Sequence, residues 1–533
     1  MKPTRLFGAL ALSLAVAAPL SAQTAPPPAP APADATMAGS EPPANWWQLD
    51  PATEAFRGIG ADRAYRELLA GKEPRREVVV AIIDTGVEID HPDLDGVLWT
   101  NPREVAGNGR DDDNNGYVDD VHGWDFIGGR DGTDVHADTY ESVRIYAGCL
   151  ARNDTGAECT RIATAFREDS AEVAQTLTQI RQIAQVSEAV DAILRTHLGT
   201  PDYTEAKVRA ISLARPEVVQ AKEMYLQMLQ AGITPALVRD ELASYENRAK
   251  YGMNPRFDSR TVVGDDPNNP NERGYGNAEV EGPFAQHGTH VAGIVAAERD
   301  GAGVDGVATG ARIMVLRVVP DGDERDKDVA NAIRYAADNG AQIINMSFGK
   351  ADSPQKKWVD DAVRYADSKG VLMVHAAGNE GASIDTDPSY PTRDYVGGGG
   401  PRLWLEVGAS SWDGLAADFS NYSKTRVELF APGVSILSTV PNAGYGRLDG
   451  TSMAAPVVSG VAALLMAYFP ELSAADVKQI LLDSATRFPA EQVVRPGTEG
   501  ERVAFGELSA TGGVVNAYNA VKLAQERAAR GGR

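Results

Sequence analysis

The chain has 533 residues, 43% of them hydrophobic, and carries 51 Lys+Arg against 74 Asp+Glu, a formal charge of −23. That balance excludes the basic face a nucleic-acid partner requires, so no nucleic-acid partner is expected. The apolar share supports a sizeable core, and the length exceeds one ordinary domain.

The first residues read "MKPTRLFGALALSLAVAAPLSAQ". Lys2 and Arg5 precede an apolar run from Leu6 to Ala18, and the small residues Ser21 and Ala22 follow. This layout predicts a secretory signal peptide over 1–22 and an exported protein, periplasmic or extracellular. The run is short for a membrane span, so no membrane role is expected beyond that segment. Residues 23–44 are Pro/Ala-rich and predict an extended linker. "EVVVAIID" (77–84) is a continuous apolar run ending on Asp84, the pattern of a parallel strand buried on both faces. It opens an α/β region expected over 45–135.

Inside that region lies "DDDNNGYVDD" (111–120). Asp111, Asp113 and Asn115 alternate before Gly116, and Asp119 stands at the ninth position of a calcium loop of the EF-hand kind. His122 takes the twelfth position, where such a loop has a bidentate Glu. Structural calcium is expected here, and no organic cofactor. Cys149 and Cys159, the two cysteines of the chain, predict a short-loop disulfide in an oxidising compartment. Residues 136–252 are helical in period without a clear strand and predict a helical insertion. A loop-rich return is expected over 253–283.

"QHGTHVAG" (286–293) sets His287 and His290 three apart where a helix begins. Read alone, the pair allows metal ligation, a general base or two packed rings. Further apolar runs predict strands at 312–319, 341–348, 370–377 and 402–409. Between them "DVANAIRYAADNG" and "QKKWVDDAVRYADSKG" predict amphipathic helices stopped at Gly340 and Gly370. The alternation predicts an α/β fold: a three-layer, doubly wound, mostly parallel sheet carrying an α-helical insertion. In such sheets functional groups collect at the carboxyl ends of strands. Asn379 follows a strand in "HAAGNEG", and Ser452 opens an apolar helix in "DGTSMAAPVVSGVAALLMAYF". A helix N-terminus offers unpaired N–H groups and positive partial charge, which suits a developing oxyanion. Each residue alone also fits an ordinary cap or turn. Together, in the order Asp, His, Ser, they are the parts of a serine hydrolase.

The motifs "AIIDTGVEIDHPDL", "HGTHVAGIVAA", "INMSFG", "AAGNEG" and "GTSMAAP" resemble, in order, those of the subtilisin-like serine proteases. The resemblance implies a serine endopeptidase acting on protein or peptide substrates, expected to be a monomer. It implies Asp84, His287 and Ser452 as the catalytic triad and Asn379 as an oxyanion donor. Ser347, Phe348 and Gly349 would pair with substrate and wall the specificity pocket, with Ser389 on its far side, where the family commonly has Gly. Asp93, together with Asp300 in "ERDGAGV", lines up with the family's strong calcium site. The catalytic domain would resume over 284–522, with a tail over 523–533. His287 follows Asp84 by 203 positions, far more than in simple members, so the insertion is expected to flank or cover the substrate cleft.

Overall fold

A computed structural model describes residues 41–212 and 215–531. The expected signal peptide and most of the expected linker lie outside the described residues. In chain order, a single-turn helix α1 (Ala61–Arg63) precedes strands β1 (Val78–Asp84) and β2 (Gly123–Asp125). Helices then follow without a strand: α2 (Glu141–Ala151), α3 (Ala157–Leu198), α4 (Glu205–Arg209), α5 (Pro216–Gln230), α6 (Pro235–Asn247) and α7 (Arg260–Val263). Alternation begins with α8 (Gln286–Ala296), β3 (Ala311–Arg317), α9 (Asp326–Asp338), β4 (Ile343–Met346), α10 (Lys356–Ser368), β5 (Leu372–Ala376), β6 (Trp404–Ser410) and β7 (Leu429–Pro432). Next come the hairpin β8 (Ile436–Val440) and β9 (Gly444–Leu448), then α11 (Thr451–Tyr468) and α12 (Ala474–Ser484). The chain closes through β10 (Thr486–Arg487), the hairpin β11 (Gln492–Val494) and β12 (Arg502–Ala504), β13 (Gly513–Val514) and α13 (Ala517–Gly531).

Nine strands form one sheet in the order β10-β13-β7-β6-β5-β4-β1-β3-β2, parallel except where β10 meets β13. Successive strand residues point to opposite faces. Val78, Val80 and Ile82 of β1 therefore join one apolar layer, with α8 and α11, while Ala81 and Ile83 join the other, with α9 and α10. This is the expected three-layer α/β fold. Helix α11 is long and apolar enough to cross a membrane, but 94% of it is buried inside the fold, where it serves as the central core helix.

The insertion has small cores of its own. Val143, Val173, Leu177, Ile180 and Tyr245 cluster together, and a second group gathers Val190, Leu194, Val208 and Ala221. Helix α3, with 42 residues, is about 63 Å long and is the spine against which α5 and α6 pack. A disulfide joins Cys149 in α2 to Cys159 in α3. The two ends of the insertion meet, with Tyr140 N donating to Gly252 O at 3.1 Å. The loop-rich return carries the short helix α7, and α13 runs through the expected tail to Gly531.

Candidate active site

Strand β1 delivers Asp84 to the carboxyl edge of the sheet, 1% exposed. The N–H groups of Val318 and Val319 bond its carbonyl, and Thr85 N donates to its Oδ1 at 2.7 Å. His287 Nδ1 lies 2.6 Å from the same oxygen. Helix α8 can approach this closely because residue 288 is glycine. A Cβ there would stand 2.1 Å from Gly86 O. Burial pulls the His287 imidazole down, but the Asp84 charge and hydrogen bond outweigh it, and the result is above the ordinary 6.5.

His290 has a different task. It is fully buried, and its Nε2 meets the carbonyls of Ile436 (2.9 Å) and Gly446 (3.0 Å). Burial pushes its pKa down to about 4, so it stays neutral and ties α8 to the β8–β9 hairpin. The Nε2 of His290 is thus committed to these carbonyls and the Nδ1 of His287 to Asp84, so the two rings serve different partners.

Ser452 is the second residue of α11. Its hydroxyl donates to Ser347 O at 3.1 Å, and the Ser347 hydroxyl donates back to Ser452 O at 2.8 Å. Asn379 follows β5, and its Oδ1 accepts from both Thr451 N (2.8 Å) and Thr451 Oγ1 (2.9 Å). Those two hydrogen bonds fix the amide and turn Nδ2 toward Gly450. A Cβ built on Gly450 would sit 3.5 Å from Ser452 N and 3.6 Å from Asn379 Nδ2, so the two nitrogens lie on either side of one small space.

Ser347, Phe348 and Gly349 continue from β4, and a Cβ on Gly349 would stand 2.2 Å from Ser389 Oγ. The two predicted pocket walls are thus in contact. Just beyond, Lys350 N donates to Tyr390 O (3.1 Å) and Tyr390 N to Lys350 O (2.8 Å). Sequence reasoning missed His375, whose Nε2 donates to Phe348 O at 2.9 Å and whose Nδ1 lies 2.6 Å from Glu406 Oε1. Burial lowers the affinity of this ring for its proton, but the Glu406 charge raises it further, and the net shift is upward. Its position in "HAAGNEG" gave no sign of this, because the partner lies on the neighbouring strand.

The predicted calcium ligands divide. Asp111 and Asp113 come together with Glu104, their carboxylate oxygens within 4.8 Å of one another. Glu104 Oε2 is buried and finds no protein partner. Asp119 is not part of that group, contrary to the loop pattern, whereas Asn115 lies against it, its N–H donating to Asp111 Oδ1 and Asp113 Oδ1 at 3.0 Å each. Asn115 accepts from Tyr117 N and donates to Asp120, and Asp119, at a φ of 55°, accepts from Asn108 N and Gly109 N. At the other expected site Asp93 Oδ2 accepts from Val304 N (2.8 Å), and Asp300 Oδ1 from Ala302 N (2.9 Å). Protein donors already answer both carboxylates there.

The sheet and the Asp84–His287 pair define a class, the α/β proteins that hold an Asp-His pair at the carboxyl edge of a mostly parallel sheet. Residues 75–506 match the Subtilase family (Peptidase_S8), and the chain belongs to that family. It is similar to the "Thermophilic serine proteinase" of Bacillus sp. (strain AK1), 44% identical over 182 residues, 34% of this chain and 42% of that protein. It is also similar to the "Major intracellular serine protease" of Bacillus subtilis (strain 168), 39% identical over 201 residues, 37% of this chain and 60% of that protein. The aligned stretch thus spans about half the length of these relatives. Among solved structures, a protease chain from Pseudoalteromonas arctica PAMC 21717 aligns over 91% of this chain and 98% of its own, at 19% identity and a TM-score of 0.47.

Proposed function

We propose that the protein is an exported, monomeric serine endopeptidase that cuts protein or peptide substrates through an acyl-enzyme. One observation carries the reading: the Asp84–His287 bond stands at the same sheet edge as the Ser452 and Asn379 nitrogens beside Gly450, next to a serine that opens a helix. In the proposed reaction Ser452 Oγ leaves the Ser347 carbonyl for His287 Nε2. His287 accepts the hydroxyl proton as Oγ attacks the substrate carbonyl, and Asp84 stabilises the imidazolium through Nδ1–H. The oxyanion is received by Ser452 N–H and Asn379 Nδ2–H. His287 then gives the proton to the leaving amine, and water repeats the cycle against the ester. Ser347, Phe348 and Gly349 supply an edge to which the substrate adds as a strand, with Ser389 facing it.

The test is exposure of the full chain to a fluorophosphonate, followed by peptide mapping and by sizing of products from a long unfolded substrate. An adduct on Ser452 and internal fragments are expected; absence of the adduct sinks the reading, and release of only terminal residues makes the enzyme an exopeptidase. Asn379→Ala should lower kcat by about 10²–10³ with KM little changed, the cost of one oxyanion donor. That figure was measured in a subtilisin and is carried over within the family. Circular dichroism must show the variant folded, and a parental kcat would remove Asn379 from the site.

We also propose a structural calcium held by Glu104, Asp111 and Asp113, because an orphaned carboxylate oxygen among three convergent acids suits a hard cation. Asp93 and Asp300 remain a second proposed site. Bound calcium would offset the repulsion among these carboxylates and add binding free energy to folding. Excess EDTA should lower Tm by about 2 °C, as expected for roughly 2 kcal/mol in a domain of this size. Glu104→Gln should remove the share of that response owed to the first site, and Asp119→Asn should leave it intact. A reversed result would restore the EF-hand geometry.

A further inference from the structure

The residue after Gly349 is a lysine with almost no exposure. The Lys350 side chain is 2% exposed, and its ammonium meets Glu141 Oε2 at 2.7 Å, Asp326 Oδ1 at 2.9 Å and the carbonyl of Glu324 at 2.9 Å. Glu141 is the first residue of α2, so it belongs to the insertion. Its backbone N–H donates to Asp323 Oδ2 (2.8 Å), and its carboxylate also takes Arg144 (2.7 Å), which reaches on to the Glu324 carbonyl. An ammonium buried this deeply is costly to desolvate, and its partners must answer it with good geometry. Such pairs are weak sources of stability, and their better-attested use is to fix one arrangement against others.

The arrangement fixed here is the pocket. The backbone of Lys350 pairs in both directions with Tyr390, the neighbour of Ser389, while its side chain grips the insertion. One residue therefore ties together both proposed walls of the specificity pocket and the first helix of the inserted segment. Nothing in the proposed acyl transfer needs a cation at this point, and no proton or charge moves there.

We propose that helix α2 of the insertion sets the width of the specificity pocket through the Glu141–Lys350 pair, which makes both positioning residues for the side chain before the scissile bond. The inference rests on the endopeptidase reading above. With the pair intact, the segment after β4 is held against the Tyr390 strand at one spacing. With it broken, the insertion no longer clamps that segment, and the pocket relaxes. The insertion then governs selectivity through its first helix.

The experiment uses the full chain and three peptide substrates that differ only in having Ala, Leu or Phe before the cut. Glu141→Ala and Lys350→Met should each change the ratio of kcat/KM between the Phe and Ala substrates by about tenfold, mainly through KM. The fluorophosphonate burst of Glu141→Ala should keep its parental amplitude. The double variant should match either single one, because both break the same link. Lys350→Arg, which keeps the charge and the packing of the stem, should restore the parental ratio toward its original value. Unchanged ratios in Glu141→Ala, or an equal loss on all three substrates, would overturn the proposal and leave the pair a purely structural one. A parent chain that takes up no fluorophosphonate and cuts none of the three overturns both readings before any variant is compared.

Discussion

Ser452→Ala is expected to reduce kcat on peptide substrates by about 10⁶-fold while leaving KM, far-UV circular dichroism and Tm close to parental. The magnitude is that of the equivalent loss in a subtilisin, and so comes from the same family. The physical basis is specific to this site. Among the described residues Ser452 Oγ makes one bond, to Ser347 O, so its removal gives up a single hydrogen bond. The bonds that fix the oxyanion donors, from Thr451 to Asn379, do not involve the hydroxyl. Binding and charge stabilisation therefore survive, and only the nucleophile goes. Steady-state kinetics with peptide substrates checks the prediction. A loss of less than tenfold would assign the nucleophile to another residue.

Asp84→Asn is expected to cost about 10⁴-fold in kcat near neutral pH and to move the acid limb of the pH–rate profile downward. His287 works as a base only when neutral, so activity rises with pH through its pKa. In the parent chain that limb lies above 6.5, because the Asp84 charge and hydrogen bond more than offset burial. An asparagine supplies no charge, and burial then acts unopposed and lowers the limb. The same pair has a consequence for stability of fixed sign. A histidine whose folded pKa is raised contributes stability fully present below its unfolded value and lost as pH rises through the folded one. Parent and variant should thus differ in Tm more at pH 5 than at pH 9. An acid limb unmoved by the substitution would show that Asp84 does not set the protonation of His287.

Much of the frame was legible in the sequence. β1, β3, β5 and β6 are buried on both faces, and so read as continuous apolar runs. β2 and β7 went unread. Gly123–Asp125 and Leu429–Pro432 are too short to carry a period, and their pairing depends on β3 and β6, already in place. The residues at the carboxyl edge were legible because each closes or follows a long element with a recognisable motif. The acidic loop was legible only in part. Spacing alone favoured Asp119, but a positive φ turns its carboxylate to the amides of Asn108 and Gly109, and Glu104 enters from outside the repeat. Lys350 and Glu141, 209 positions apart, carried no local signal, since neither residue type predicts burial and only the fold brings them together.

The meeting of Tyr140 and Gly252 bears on the order in which the molecule is assembled. To bring His287 to Asp84 the chain must close a loop of 203 positions instead of a few tens, which adds roughly 1–2 kcal/mol of closure entropy. The inserted helices make mostly local contacts, and such contacts form early in folding. Once they have formed, Tyr140 and Gly252 behave as neighbours, and the long detour becomes a short one before the sheet has to span it. A segment that lengthens the chain between two site residues thereby gives back much of the closure entropy it adds, provided that it folds first.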